Sequence, residues 1–235
     1  MAQQLLDSIS SFLIKELSIT LPEVSFELQD RIFLTSSNKL IGSRIDPLFA
    51  LCWGKNAMST RYDNINLHTI AYIRKGIALT SEEVIPGLIP VIAGGQTSPY
   101  SHNEANFDGN VITVSASGAY AGYVWYHRNP IYATDCSVIR SKDESLFLTE
   151  YIFEVLKVQQ RSIYWLQTGA AQPHVYASDL ASLIIPVISL SKQKEIVEHV
   201  SSIRQQAKTL QEEGKNVFEQ AKKEVEQMII GVQDK

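Results

Sequence analysis

"SASGAYAGYVWYHRNPIYATDCSVI", residues 115–139, decides how the middle of this chain is read. Short apolar bursts are broken by Gly, Asn and Pro, with almost no charge, which predicts strands joined by turns. Yet the run also carries Tyr120, Tyr123, Trp125, Tyr126 and Tyr132, more aromatic surface than a plain connecting loop needs. Small residues that permit close approach, set beside flat rings, suit a surface that another molecule presses on. In a strand, alternate side chains face opposite sides, so about half of these rings belong in the core.

Working outward from that run, the same texture extends from about Phe26 to Leu190. "LIPVIAGGQTSPY", residues 88–100, reads as a strand followed by a polar turn. One helix interrupts the strands, "LFLTEYIFEVLKVQQRS", residues 146–162, with Phe147, Tyr151 and Leu156 on its inner face. At the N-terminus, Leu5, Ile9, Leu13 and Leu17 recur every four residues, so residues 3–17 read as an amphipathic helix that Pro22 closes. From Ser191 onward the chain loses proline and nearly all aromatics. Ile196, Val200, Ile203, Ala207, Leu210, Gly214, Val217 and Ala221 alternate spacings of four and three, a heptad seam continued with one skip by Val225 and Met228. About 40 residues at about 1.5 Å each make a rod of about 60 Å, long enough to want a partner helix. The expected architecture is mixed α+β: a helix at 1–22, one globule at 23–190, and a long coiled-coil helix at 191–235.

Composition narrows the function. The chain has 235 residues, 45% of them hydrophobic, enough for one good-sized core. No apolar run is long enough to span a bilayer, and the first residues lack a secretory leader. Cys52 and Cys136 stand alone, without metal-ligand spacing. A reducing cytoplasm is expected. The net charge of −4 argues against indiscriminate attraction to polyphosphate, although a local basic strip is compatible with it.

Candidate chemistry is sparse. "GGQTSPY", residues 94–100, lacks the lysine and glycine spacing of a phosphate-binding loop, so an ordinary turn competes with a ligand loop there. "NPIY", residues 129–132, is close to the Asn-Pro-Pro-aromatic motif of adenine-N6 methyltransferases, but Ile131 replaces the second proline and no cofactor loop accompanies it. A turn is the better reading. His68, His102, His127, His174 and His199 are scattered and form no ligand pair or nucleophile-base arrangement. No catalytic centre is expected, and no metal.

Two stretches together are more specific. "GAYAGYVWYHRNPIYATDCSVI" resembles the strand-turn-strand core of target recognition domains in type I restriction-modification specificity subunits. "TGAAQPHVYASDLASLIIPVISLSKQKEIV", residues 168–197, resembles the segment by which such domains exit into a long helix. "SNKLIGSRIDPLFA", residues 37–50, is similar to the Arg-x-Asp-Pro segment that opens many of them. The family's usual member has two recognition domains and two long helices, whereas this chain has one of each, as a half-subunit or one half of a longer protein would.

The resemblance implies a non-catalytic subunit that reads double-stranded DNA and directs methyltransferase and restriction (translocase and nuclease) subunits to a bipartite site. S-adenosylmethionine, magnesium and ATP would belong to those partners, and the long helix would pair two copies. The base-reading candidates are Gln96, Thr97, Ser98, Tyr100, Ser117, Tyr120, Tyr123, Gln172 and His174, with Ser115, His102, Asn103 and Tyr126 as further options. Lys75, Arg128, Lys142 and Arg161 are the phosphate candidates. Gly118 and Gly122 would let the backbone approach a groove. Ile196, Val200, Ile203, Leu210 and Val217 are the candidates for the helix partner. Two other readings stay open: part of a DNA adenine methyltransferase, or a coiled-coil scaffold with no nucleic-acid role.

Overall fold

The computed structural model describes residues 1–23, 27, 58–98, 100–169 and 171–230, with Ile230 described by its backbone only. Helix α1 spans Ala2–Glu16 and buries Ile9 and Leu13. It stops earlier than Pro22: Ser18 takes a left-handed φ of 48°, and the Ile19 amide donates to Ile14 O at 2.8 Å. The segment at residues 37–50, and Cys52, lie outside the described residues.

A four-stranded antiparallel sheet organises the globule, in the order β2 (Ala71–Lys75), β8 (Cys136–Ser141), β5 (Val111–Ser115), β6 (Val124–His127). One face packs on α3 (Thr149–Val158) through Ile112, Val114, Val124 and Ile139, in a core that also takes Leu13, Ile152, Leu156 and Ile163. On the other face Val111 and Val138 meet Ile92, Ile131 and Ala133 in a smaller cluster. Those three come from or adjoin a second sheet, β4 (Tyr100–His102), β3 (Ile89–Ile92), β7 (Tyr132–Ala133), in which β3 and β7 run parallel. Central strand β5 is therefore buried on both faces, which explains its unbroken apolar-and-threonine run. A short pair, β1 (Asn64–Asn66) with β9 (Ile184–Pro186), ties the start of the described globule to its exit. Between β1 and β2 lies the single turn α2 (Leu67–Ile70).

The helix expected over 146–162 is two helices. Helix α3 ends at Gln159, whose φ of −82° and ψ of 5° break the line, and α4 follows as Gln160–Tyr164. Tyr151 and Leu156 are buried as expected and Phe147 partly so. A further short helix, α5 (Ala177–Ala181), leads to β9.

Helix α6 runs Leu190–Ile230, 41 residues, or about 60 Å. Its first half is not a partner seam. Ile196, Val200 and Ala207 are buried in the chain's own fold, where α6 lies against α1 and α3. Ile196 and Val200 are thus unavailable to a second copy, and Ile203 is half covered. The periodicity is the same for an internal and an external partner, and α1 supplies the internal one. Buried Gln193 anchors the start: it accepts from Leu148 N at 2.9 Å and donates to Leu146 O at 2.9 Å and Ile188 O at 3.1 Å. Lys192 pairs with Glu16 of α1, and Arg204 grips Glu154 of α3 with both guanidinium nitrogens. Beyond Leu210, itself half-buried, every described side chain is exposed, including Val217, Phe218, Val225 and Met228.

Candidate nucleic-acid interface

Strand directions define two ends of the main sheet. Ser115 pairs with Cys136 and Val114 with Val124 at one end, where the connections 116–123 and 134–135 lie. Val111 pairs with His127 at the other. The 94–98 loop after β3 and the 165–176 segment after α4 both come to the first end. Ser117 bridges His174, the Gly118 amide donates to Pro173 O at 3.0 Å, and Val175 N donates to Ala116 O at 3.0 Å. A Cβ on Gly94 would sit 2.8 Å from Ser117 O, so only glycine lets the first two loops touch. The Gln96 side chain lies beside the Tyr164 hydroxyl of α4.

This end gathers most of the expected readers. Gln96, Thr97, Tyr100 and Gln172 are exposed, Tyr120 is 46% exposed, and Ser117, Tyr123 and His174 are half-buried. Ser117 Oγ donates to Asp135 Oδ2, fixing its hydroxyl, and His174 stacks on exposed Tyr176 with centroids 6.1 Å apart. Ser98 plays a smaller part: its hydroxyl is committed to Val91 O at 3.0 Å and Tyr100 O at 3.1 Å.

Several expectations need correction. Ser115 and His102 are buried, and His102 Nδ1 accepts from Ile85 N at 3.1 Å, so neither reads a base edge. Tyr126 stacks on Phe153 at 5.4 Å and donates its hydroxyl to Asn110 Oδ1 at 2.8 Å, a structural role. Gly122 serves the chain's own packing: φ is +92°, and a Cβ there would meet Ile163 Cγ2 and O at 3.2 Å. Gly122→Ala should therefore cost about 1–3 kcal/mol of stability in a urea titration, from left-handed strain plus that contact. At Gly118, with φ +84°, a Cβ would meet only Gly94 O, at 3.9 Å.

The phosphate candidates split between the two ends. Lys75, opposite Ser137, lies at the loop end, and Arg161 sits on α4, whose Ile163 packs beneath the 116–123 loop. Both are exposed, and neither has an acidic partner among the described residues. Arg128 and Lys142 follow the far ends of β6 and β8. Arg128 is neutralised by Glu150 at 2.6 Å, and the Lys142 ammonium donates to His68 O at 2.6 Å and Thr69 O at 3.1 Å. Arg74 and Arg140 were missed. They project from β2 and β8 beside half-exposed Tyr72 into an open cleft of about 490 Å³ that Asp108 and Glu144 also line. Only strand register, which no local pattern reveals, brings these cations together.

Below the loops sit residues that sequence reasoning passed over. Gln160, Gln167 and Lys157 reach the 121–124 backbone, and Lys157 lies under the Tyr123 ring at 4.2 Å. Burial lowers the Lys157 ammonium to about 8. Asn129 and Pro130 form an exposed turn and Ile131 is buried, as the turn reading of "NPIY" requires. Among the described residues no His, Cys, Asp or Glu cluster suits a metal ion, and no helix is long and apolar enough to cross a membrane.

The described residues thus form a mixed α+β globule with a polar, aromatic loop end, continued by a long helix. The family description "type I restriction modification DNA specificity domain" matches residues 60–220, and the chain belongs to that family. Three solved structures are similar. The S subunit of a type I restriction-modification system from M. genitalium shares 23% identity, with a TM-score of 0.55 over 60% of this chain and 38% of that one. The HsdS subunit from Thermoanaerobacter tengcongensis is 14% identical, with a TM-score of 0.53 over 90% of this chain and 46% of its own. A chain from a study titled for complex assembly and conformational transition of the type I R-M system gives 14% and 0.53, over 97% and 53%. The chain thus spans between about two-fifths and about half the length of these relatives. No curated protein matches.

Proposed function

We propose that this chain reads DNA sequence for a type I restriction-modification complex and performs no catalysis itself. The observation that supports this best is the convergence of three sequence-distant loops at one sheet end. There Gln96, Thr97, Ser117, Tyr120, Gln172 and His174 offer donors, acceptors and ring faces, with Lys75 and Arg161, which have no acidic partner among the described residues, at the margin. Amide and hydroxyl groups of this kind distinguish base pairs in the major groove, and flanking cations hold the phosphates. Methyltransferase and restriction subunits are the partners in this reading. S-adenosylmethionine, magnesium and ATP would be bound by them, in the cytoplasm.

The distal half of α6 supplies the assembly element. Leu210, Val217, Val225 and Met228 continue the heptad into solvent, where a second copy of α6 would cover them and place two recognition domains on one duplex. Each domain then reads one half of an interrupted palindrome. Leu210→Lys together with Val217→Lys should convert dimer to monomer in sedimentation equilibrium, by placing charge in the seam. A wild-type chain that is monomeric at tens of micromolar, alone and with methyltransferase, contradicts the pairing.

The split in the cations tests the loop end as the DNA face. Replacing Lys75 and Arg161 with alanine should lower the slope of log affinity against log salt by about 2 and weaken all sequences alike. The Arg128→Ala, Lys142→Ala pair should change it far less, since Arg128 is already neutralised and both lie at the far end. Fluorescence anisotropy at several salt concentrations decides. Equal slopes for both double variants would move the interface away from the loops.

A further inference from the structure

We propose that Lys157 and Gln160 are positioning residues for sequence reading, which hold the 120–124 turn in one conformation so that Tyr120 and Tyr123 meet the DNA in fixed register. The proposal rests on the loop end being the DNA face.

The 116–123 connection contains two glycines at positive φ and would sample many conformations if left to itself. Among the described residues strand β6 is also an edge strand, so the outward backbone groups at its start have no ladder partner there. Side chains from the α3–α4 junction take their place. Gln160 Nε2 donates to Gly122 O at 2.8 Å, and Gln160 Oε1 accepts from Val124 N at 2.9 Å. Lys157 Nζ donates to Val124 O at 3.0 Å and to Gln160 Oε1 at 3.2 Å, while lying 4.2 Å from the Tyr123 ring centroid. Gln167 Nε2 adds a bond to Ala121 O at 2.8 Å. The backbone on both sides of Tyr123 is therefore tied to one helix junction, and its ring rests on a cation.

The choice of a lysine is informative. Burial lowers its pKa, and its ammonium forms no ion pair within 4 Å among the described residues. A half-buried ammonium whose hydrogen-bond partners are neutral is a costly way to satisfy one carbonyl, because Glu154 attracts it only from a distance and Arg204 opposes it. It gains its use from the ring above it, since a cation beneath an aromatic face fixes where that face points. Lys157 and Gln160, three residues apart at the α3–α4 junction, converge on Val124, the first residue of β6.

The test uses the complete complex with its methyltransferase. A random duplex pool first defines the sequence the wild type prefers. Lys157→Met and Gln160→Glu are then compared with wild type on that duplex, on single-base variants, and on unrelated DNA. Gln160→Glu keeps the acceptor for Val124 N but loses the donor to Gly122 O. The expected result is about a tenfold loss of discrimination between preferred and altered sequences, in the range of one well-placed base contact. Binding to unrelated DNA and its salt slope should hold, and Lys157→Arg should restore part of the discrimination by replacing the cation. Amide exchange at Gly122 and Val124 should quicken in the Met and Glu variants and slow again in the Arg variant. Full discrimination in variants with the wild-type melting temperature, or an equal loss on all DNA, overturns the positioning role. Absence of any sequence preference in the wild type would instead overturn the DNA reading, and this inference with it.

Discussion

Replacing Arg204 with alanine is expected to destabilise the chain by about 3–5 kcal/mol, the largest effect of any single polar substitution proposed here. Glu154 is 1% exposed and sits on α3 at the centre of the fold. Both of its oxygens accept from the Arg204 guanidinium, one at 2.8 Å. Burial raises the Glu154 carboxyl, and Arg204 opposes that rise. Without the guanidinium, the carboxylate is left in a site that water does not reach, and the long helix loses its main polar tie to the globule. Arg204 also lies over the Phe153 ring at 5.2 Å, so packing is lost as well as charge. Urea titration of the variant should show a lower midpoint with an unchanged slope. A Glu154→Leu, Arg204→Leu double variant should recover most of the loss, because it leaves no buried charge behind. A single variant as stable as wild type would mean that the pair is dispensable for docking α6.

Acid should loosen the fold through His127. The imidazole is buried at the end of β6, with Nε2 2.8 Å from Thr113 Oγ1, and burial lowers it from 6.5 to about 4. An unfolded histidine takes up a proton near pH 6.5, whereas the folded one resists until about pH 4. The unfolded state therefore binds more protons between those values, and stability falls as pH drops through that window. No stability is lost through this group above about pH 6.5, and the loss reaches about 3 kcal/mol by pH 4. Carboxylates also titrate near the lower limit, so the comparison that isolates His127 is wild type against His127→Gln. The variant should be less stable at pH 7.5 and lose less on going to pH 4.5. Parallel pH profiles for the two proteins would assign the acid sensitivity elsewhere.

Much of this fold was legible from local pattern. Period-four apolar residues placed α1 within a residue of its observed start, and the loss of proline and aromatics at Ser191 placed the start of α6 within one residue. The heptad seam was legible too, but its partner was not. Whether Ile196 and Val200 meet α1 or a second copy depends on where α1 folds back, which spacing cannot say. The break at Gln159 carries no proline or glycine, so no local signal marks it. In the candidate interface, residue type marked Gln96, Ser117, Tyr120 and His174. Cross-strand register separated Lys75 from Lys142 and revealed Arg74 and Arg140. Gly118 and Gly122 permit close approach either to a groove or to the chain's own core, and Gly122 approaches Ile163. Composition alone does not distinguish the two.

The central claim is that the loop end reads DNA sequence, and selection from a random duplex pool by the chain with its methyltransferase tests it most directly. The expected result is enrichment of one interrupted motif, and Gln96→Ala together with Ser117→Ala should change or relax the preferred bases while unrelated DNA binds as before. No enriched motif, or a motif and margin untouched by those two substitutions, contradicts the account.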